Sequence, residues 1–349
     1  MTATATPPLR RQTMRAIVQT EYGAADVLRF DEIDRPAIED DEVLVRVHAA
    51  GLDRGTWHLM TGQAYLIRLM GFGVRRPKNP VPGLDLAGTV AAVGRDVTRF
   101  EVGDEVFGIG QGSFAEYATA REDKLARKPA NLSLEQSAVV AVSGLAALQS
   151  LRDAGRVEPG QHVLIVGASG GVGTFAVQIA KAFGAEVTGV CSTAKIDLVR
   201  AAGADHVIDY TEADFASGSE RYDLILDIGG NSRLARLRRA LTSRGTLVLV
   251  GGEGGGRWIG GMDRQLRALA LSPFVRQRLA VKVPKEHYTD LERLVQLIEA
   301  GHLAPVMDKS FPLQHAPDAM RHLEAGRARG KLVIAVADAE SSTSTGTTT

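Results

Sequence analysis

The chain of 349 residues is 44% hydrophobic and 23% charged, the composition of an ordinary globular protein long enough for two domains with real cores. Its 41 Lys and Arg balance 41 Asp and Glu, so no net field draws nucleic acid or an anionic membrane to it. The single cysteine, Cys191, excludes an internal disulfide and a four-thiolate zinc site, and fits a reducing compartment with the cytoplasm as the default.

The opening MTATATPPLRRQT lacks the apolar run of a secretion signal, and the closing ESSTSTGTTT is too polar to fold alone. Residues 1–13 and 339–349 are therefore expected to be disordered tails, with Met14 at the head of the first strand-like run. From there to about residue 135 the chain reads as short strands. EVLVRVHAAG sets Val43, Val45, Val47 and Ala49 against Leu44, Arg46 and His48, and GTVAAVG and EVFGI continue the pattern on either side of a Gly103-Asp104 turn. An irregular barrel or sandwich is expected.

Within this half, GQAYLIRLMGFGVRRPKNPVP carries Tyr65, Leu66, Leu69, Met70 and Phe72, then Arg75, Arg76 and Lys78. It reads either as the wall or lid of an apolar pocket or as a helix packed on the barrel, with a basic rim suited to a partner or an anionic surface. Residues 136–151 are the nearest approach to a membrane span. They are short, interrupted by Ser, Gln and Gly, and read as a buried helix.

Beyond residue 136 strands alternate with helices: 163–166, 186–190, 206–210, 224–228 and 246–250 are apolar runs of the kind found where helices cover both faces of a parallel sheet. TDLERLVQLIEAG predicts a helix opened by a Thr289/Glu292 capping box, with Leu291, Leu294, Val295 and Ile298 on one stripe and Gly301 as its stop. The last strand, 331–336, can complete either half.

VLIVGASGGVG at 163–173 is the chemically informative stretch. A strand, a glycine turn and a helix whose Phe175, Ile179 and Phe183 share a face form the context of a dinucleotide site. Ser169, Gly170, Gly171, Val172 and Gly173 would hold the pyrophosphate on backbone N–H groups and the helix dipole. Gly170 would admit the anion and Gly173 would let helix and strand approach. At G-x-G-x-x-G spacing the first position is Ala168, a departure from the fingerprint. The bland alternative is a glycine turn made for tight packing alone.

The end of the second strand selects the dinucleotide. An NAD site places a carboxylate there; this chain reads Cys191-Ser192-Thr193-Ala194-Lys195. Two charges at about 4 Å interact by about 4 kcal/mol at an effective dielectric near 20, so a lysine favours the 2′-phosphate of NADPH and an acid would repel it. Ser192, Thr193 and Lys195 are expected around that phosphate, with Tyr210 nearby; otherwise Lys195 is a solvated helix residue.

The motifs PGLDLAGTVAAVG (82–94), VGDEVFG (102–108), FAEYA (114–118), the stretch 160–210 and GKLVI (330–334) together resemble the medium-chain dehydrogenase/reductase superfamily, in its zinc-free quinone oxidoreductase-like branch. The resemblance implies an α/β fold: a GroES-like β-rich barrel (14–135, with 302–338 returning to it) and a Rossmann doubly wound parallel sheet (136–301). It also implies a homodimer and a nicotinamide, read above as that of NADP, that meets a small electrophilic substrate in the cleft, with Ser143 and Gly251 as further cofactor contacts. Zinc-binding members carry Gly-His-Glu where this chain has Gly83-Leu84-Asp85 and a cysteine where it has Asp53, so no metal is expected.

Without a Lewis acid, hydride transfer to an already activated acceptor, a quinone or an α,β-unsaturated carbonyl, is the easier chemistry. Asp53, His58 and Tyr65 are the candidate catalytic residues, Trp57 a packing residue beneath them. Asp53 and Thr56 stand where the family has Asn and Asp, and Ala146 where it has Thr. These departures keep two alternatives open: a zinc-free NADP-dependent alcohol or aldehyde reductase, and a non-catalytic NADP-binding scaffold or regulator.

Overall fold

A computed structural model describes residues 12–63, 65, 68–252, 258, 260–281 and 285–336, Met70 by its backbone alone. Of the expected tails, 1–11 and 339–349 lie outside these residues, as does Leu66. β1 (Thr13–Val18) and β2 (Arg29–Asp34) pair as an antiparallel ribbon, and β1 begins one residue ahead of Met14. In β3 (Glu42–Leu52) Val43, Val45 and Val47 are buried while Arg46 and His48 are exposed, as their alternation requires. β3, β4 (Asp85–Val93), β5 (Glu105–Ile109), β6 (Tyr117–Arg121) and β7 (Leu125–Arg127) wrap into a seven-stranded sheet. Two strands from the far end of the chain complete it.

The second sheet contains β8 (His162–Val166), β9 (Glu186–Cys191), β10 (His206–Asp209), β11 (Tyr222–Asp227), β12 (Leu241–Leu249) and β13 (Arg278–Val281). All its pairings are parallel, in the order β10-β9-β8-β11-β12-β13. That order reverses between β8 and β11, which opens a crevice at the carboxyl ends of those strands. The sequence reading finds five of the six. β13 escapes it because RLAV is a four-residue edge strand with one charged and two half-buried positions. The closing strands β14 (Met307–Pro312) and β15 (Lys331–Ala335) join the first sheet, where Leu332 lies opposite Leu52.

Two helix expectations need correction. The single buried helix over 136–151 is three pieces: Leu134–Ser137, Ala141–Gln149 and a wider π-type turn at Ser150–Gly155. The first break falls where the Asp85 carboxylate accepts the Val142 N–H at 2.7 Å and so opens a new helix N-terminus. Ser133 and Gln136 form a reciprocal capping box on the first piece. Ser133→Ala should therefore lower stability by about 1 kcal/mol, read as a shift of the urea midpoint.

The helix read from TDLERLVQLIEAG spans Tyr288–Glu299, and its N-cap is His287, whose ring accepts the Thr289 N–H. The expected Thr289/Glu292 box does not form, because Glu292 reaches instead to Arg99 at 2.8 Å. Leu291, Leu294 and Ile298 are buried as expected. One apolar cluster runs from Ala49, Ala87 and Phe107 of the first sheet through Val139 and Leu148 to Ile165 of the second and Phe175 on the helix that follows it. The two sheets thus share a core wall, and the crevice sits at its edge.

Candidate active site

Gly167, not Ala168, makes the turn after β8. Its φ of 91° is left-handed, and a side chain there would press on the Gly229 N–H at the end of the neighbouring strand. The glycine required by the fingerprint is therefore present one residue early. Gly170 caps the helix that the sequence places after the loop, α1 (Gly171–Ala182). A Cβ on Gly170 would meet only the Gly167 carbonyl, at 3.6 Å, whereas one on Gly173 would lie 2.2 Å from that same oxygen. Gly170 thus leaves space open and Gly173 fills it with backbone. The first N–H groups of α1 have no carbonyl four residues back, so the loop from Ser169 to Gly173 fits a pyrophosphate.

Beneath the loop lies a cluster that sequence reasoning missed. The aliphatic stem of Lys331, the first residue of β15, lies where a Cβ on Gly171 would meet it at 2.8 Å. Its Nζ donates to Ser143 Oγ at 3.0 Å and to Asp85 Oδ2 at 3.2 Å. Lys331 and Ser143 are each 1% exposed and Asp85 is fully buried. Burial pushes the Asp85 carboxyl up to about 6; the Lys331 ammonium and the Val142 N–H pull it back, and Asp53 adds a smaller upward push. Ser143 is thus part of this cluster, tied to Lys331. The signal was the lysine heading an apolar strand in GKLVI.

At the end of β9, Ser192 is half-buried and Thr193 exposed. Lys195 is half-buried, donating to the Ala328 carbonyl at 2.7 Å and the Gly326 carbonyl at 3.2 Å. Arg329 donates to the Ala194 carbonyl at 2.5 Å. Desolvation, then Arg329, lowers the Lys195 ammonium pKa. Tyr210 is exposed just past β10. Asp209, which ends β10, is occupied locally: it accepts from Thr211 N and Oγ1 at 2.9 and 2.7 Å, and the Thr193 side chain heads the contacts that hold its pKa low. Two cations, Lys195 and Arg329, therefore crowd the end of β9; Arg329 comes from a segment too distant in sequence to be foreseen.

The candidate catalytic residues separate. Asp53 caps α2 (Arg54–Thr61), its Oδ1 accepting the Thr56 N–H at 2.8 Å while Oδ2 is buried without a partner among the described residues. His58 packs edge-on against Trp57, ring centres 4.9 Å apart. Tyr65 stands elsewhere, edge-on to Trp258 at 5.4 Å with the Arg68 guanidinium 4.7 Å from its ring. Thr56, Leu59 and Met60 of α2 line a cavity of about 710 Å³ together with Phe72, Leu84, Ile109 and polar residues such as Asn79 and Gln111. Leu84, in the lining of this cavity, directly precedes Asp85, the partner of Lys331.

Gly251 has a packing reason: a Cβ there would lie 2.1 Å from the Ile228 carbonyl. Asp227, buried at the switch point, is paired with Arg264, whose Nε and Nη1 are buried without partners among the described residues. No three His, Cys, Asp or Glu residues are grouped to hold a metal among the described residues. Leu84 offers no donor, Asp85 is engaged by an ammonium, and one Asp53 oxygen is used as a cap. No helix among the described residues is long and apolar enough to cross a membrane.

Residues 39–130 match the family described as alcohol dehydrogenase GroES-like domain, and residues 202–334 the one described as zinc-binding dehydrogenase. The chain is 33% identical to the mouse (Mus musculus) mitochondrial NAD(P)H oxidoreductase RTN4IP1 over 95% of its own length and 91% of the relative's. It is 32% identical to the tomato (Solanum lycopersicum) 2-methylene-furan-3-one reductase (92% and 79%) and 30% identical to the pig (Sus scrofa) quinone oxidoreductase (93% and 98%). Among solved structures it resembles the quinone oxidoreductase from Coxiella burnetii, with a TM-score of 0.83 and 28% identity over 93% of this chain and 100% of that one.

Proposed function

Because the chain belongs to the medium-chain dehydrogenase/reductase superfamily, in its quinone oxidoreductase-like branch, and so is an oxidoreductase with a nicotinamide cofactor, we propose that it uses NADPH to reduce a quinone or an α,β-unsaturated carbonyl without zinc. The observation that supports this reading is the glycine loop 169–173 at the switch point of the parallel sheet, seated on the Lys331–Asp85 pair. In it, residues 14–135 with 302–338 hold the substrate and 136–301 the dinucleotide.

When bound, the reduced nicotinamide supplies a hydride. Ser169 to Gly173 bind the pyrophosphate through backbone N–H groups and the positive end of α1. The cavity, with Leu59, Met60, Leu84 and Ile109 beside polar groups such as Asn79 and Gln111, is proposed to orient the acceptor. Asp53 and His58 are proposed to act from α2, whose Thr56, Leu59 and Met60 line the cavity, and Tyr65 from its separate position beside Trp258. Zinc-independence rests on the donor set, since the Leu84 side chain cannot ligate and Asp85 already faces an ammonium.

The preference for NADPH rests on Lys195 and Arg329, two neighbouring cations that a 2′-phosphate would offset. Lys195→Ala is expected to weaken NADPH by about 1–2 kcal/mol in fluorescence titration and NADH by far less. The NADH control absorbs any effect of losing the bonds to Gly326 and Ala328. Equal weakening would remove the phosphate from the assignment. Mixing the enzyme and NADPH with a quinone, an enone or an aldehyde, then identifying products, separates this reading from an alcohol or aldehyde reductase; binding without turnover would leave a scaffold.

The same reading includes a homodimer, supported by the open edge of β13 and by exposed Leu266, Leu269 and Phe274 beside it. It also includes a cytoplasmic location, to be checked by cell fractionation.

A further inference from the structure

Between Asp227 and Glu253 the chain carries five arginines and no acid, and between Asp263 and Glu286 four arginines, two lysines and again no acid. In a chain without net charge this is a local excess of positive charge, and the fold gathers part of it. The helix Leu234–Ala240 runs directly into β12, and the turn Ser272–Phe274 leads into β13. Both junctions stand at the amino-terminal ends of these parallel strands, opposite the crevice at the carboxyl ends of the sheet. There Arg238, Arg239 and Arg276 line a hollow of about 440 Å³ together with Ser243, and no carboxylate lines it among the described residues.

Gln277 fixes one side of the hollow: its Oε1 accepts the Arg238 Nε–H at 3.0 Å, and its Nε2 donates to the Arg238 and Thr242 carbonyls at 2.9 and 3.2 Å. The Arg238 guanidinium is thus held by one nitrogen, and its two Nη groups have no partner among the described residues. Arg239 and Arg276 are exposed, and none of the three arginines forms an ion pair among the described residues. Asp214, within electrostatic reach of Arg239, is already bound to Arg236 at 2.8 Å. The partial negative charge at the end of the helix suits Arg238 and Arg239, but Arg276 arrives on a separate segment. Three like charges around one hollow repel each other, and a shared anion turns that repulsion into attraction.

We propose that this hollow binds a phosphate monoester or pyrophosphate group, at a site separate from the dinucleotide crevice and independent of the reductase reading. A phosphate group brings about two negative charges at pH 7 and three acceptor oxygens, whereas a carboxylate brings one charge. Planar guanidinium groups match phosphate oxygens two at a time, and a serine hydroxyl adds a further donor, so the donors of this hollow fit the more highly charged anion. The chemistry has two sources, a soluble phosphorylated molecule and a lipid headgroup such as phosphatidic acid.

Inorganic pyrophosphate titrated into the full chain by isothermal calorimetry should reveal a saturable site that weakens as salt is added. That site should lose at least about tenfold in affinity in Arg239→Gln/Arg276→Gln and persist in Gly170→Ala, whose change lies in the glycine loop. Matching thermal midpoints and elution volumes show that the double variant folds and assembles as the wild type does. Sedimentation with phosphatidylcholine vesicles, with and without phosphatidic acid, separates the sources: calorimetric binding alone assigns a soluble ligand, and phosphatidic acid-dependent sedimentation assigns the lipid. Either, lost in the double variant, supports the site. Neither signal, a signal that survives in the double variant and disappears in Gly170→Ala, or retardation of an oligonucleotide by a protein that binds neither probe overturns it.

Discussion

Lys331→Met is expected to lower stability by roughly 3–5 kcal/mol at pH 8, and by much less at pH 5. The ammonium is buried beneath the glycine loop, and the carboxylate opposite it has no access to water. Removing one partner of such a pair leaves the other charge uncompensated, and that is the source of the large figure. The pH dependence follows from Asp85, whose carboxyl burial raises from 3.8 to about 6. Between those values the folded protein holds a proton that the unfolded chain has lost. The contribution of Asp85 is therefore complete below about pH 4 and lost as pH rises through 6.

Without Lys331 the downward pull is gone, so the window moves to higher pH and widens. Urea midpoints measured from pH 5 to 8 check this. Lys331→Met/Asp85→Asn should recover most of the stability at pH 8 and flatten the profile, because the amide oxygen can still accept the Val142 N–H. A single variant as stable at pH 8 as the wild type would show that the pair is solvated.

The second large effect contrasts two glycines three residues apart. Gly170→Ala should leave the thermal midpoint unchanged while weakening NADPH and NADH alike by at least about tenfold, near 1.4 kcal/mol. Its φ of −81° suits alanine and its Cβ has no close protein neighbour, so the methyl group projects only into the space that the ligand needs. Gly173→Ala should lose both binding and stability, the latter by about 1–3 kcal/mol, because its Cβ would meet the backbone of Gly167 and Ala168. Differential scanning fluorimetry with and without dinucleotide reads both quantities at once. Equal behaviour of the two variants would mean that the loop is shaped by packing alone.

The parts of this site that local sequence reveals are those whose physics is local. A strand covered on both faces must be apolar throughout, and a backbone that admits an anion must shed its side chains, so 163–173 is legible without any partner. Lys331 is not, because its meaning depends on Asp85, which is 246 residues away in sequence, and a lysine read alone is an exposed residue. Arg329 is hidden for the same reason. The helix at 288–299 is capped at His287, two residues before Thr289, and Glu292 answers instead to Arg99 across the molecule.

The strand heading the last motif lies beside one made near the beginning of synthesis: Leu332 stands opposite Leu52. Until the ribosome has released residues 331–335, the stretch of β3 from Ala49 to Leu52 lacks its neighbour on that flank, where β6 covers only Glu42 to Arg46, while the whole parallel sheet has already been translated. The later-begun lobe thus matures first, and the earlier one is sealed by its final few residues. Nascent chains stalled short of this point carry an adhesive ribbon edge, the state in which they most need a chaperone.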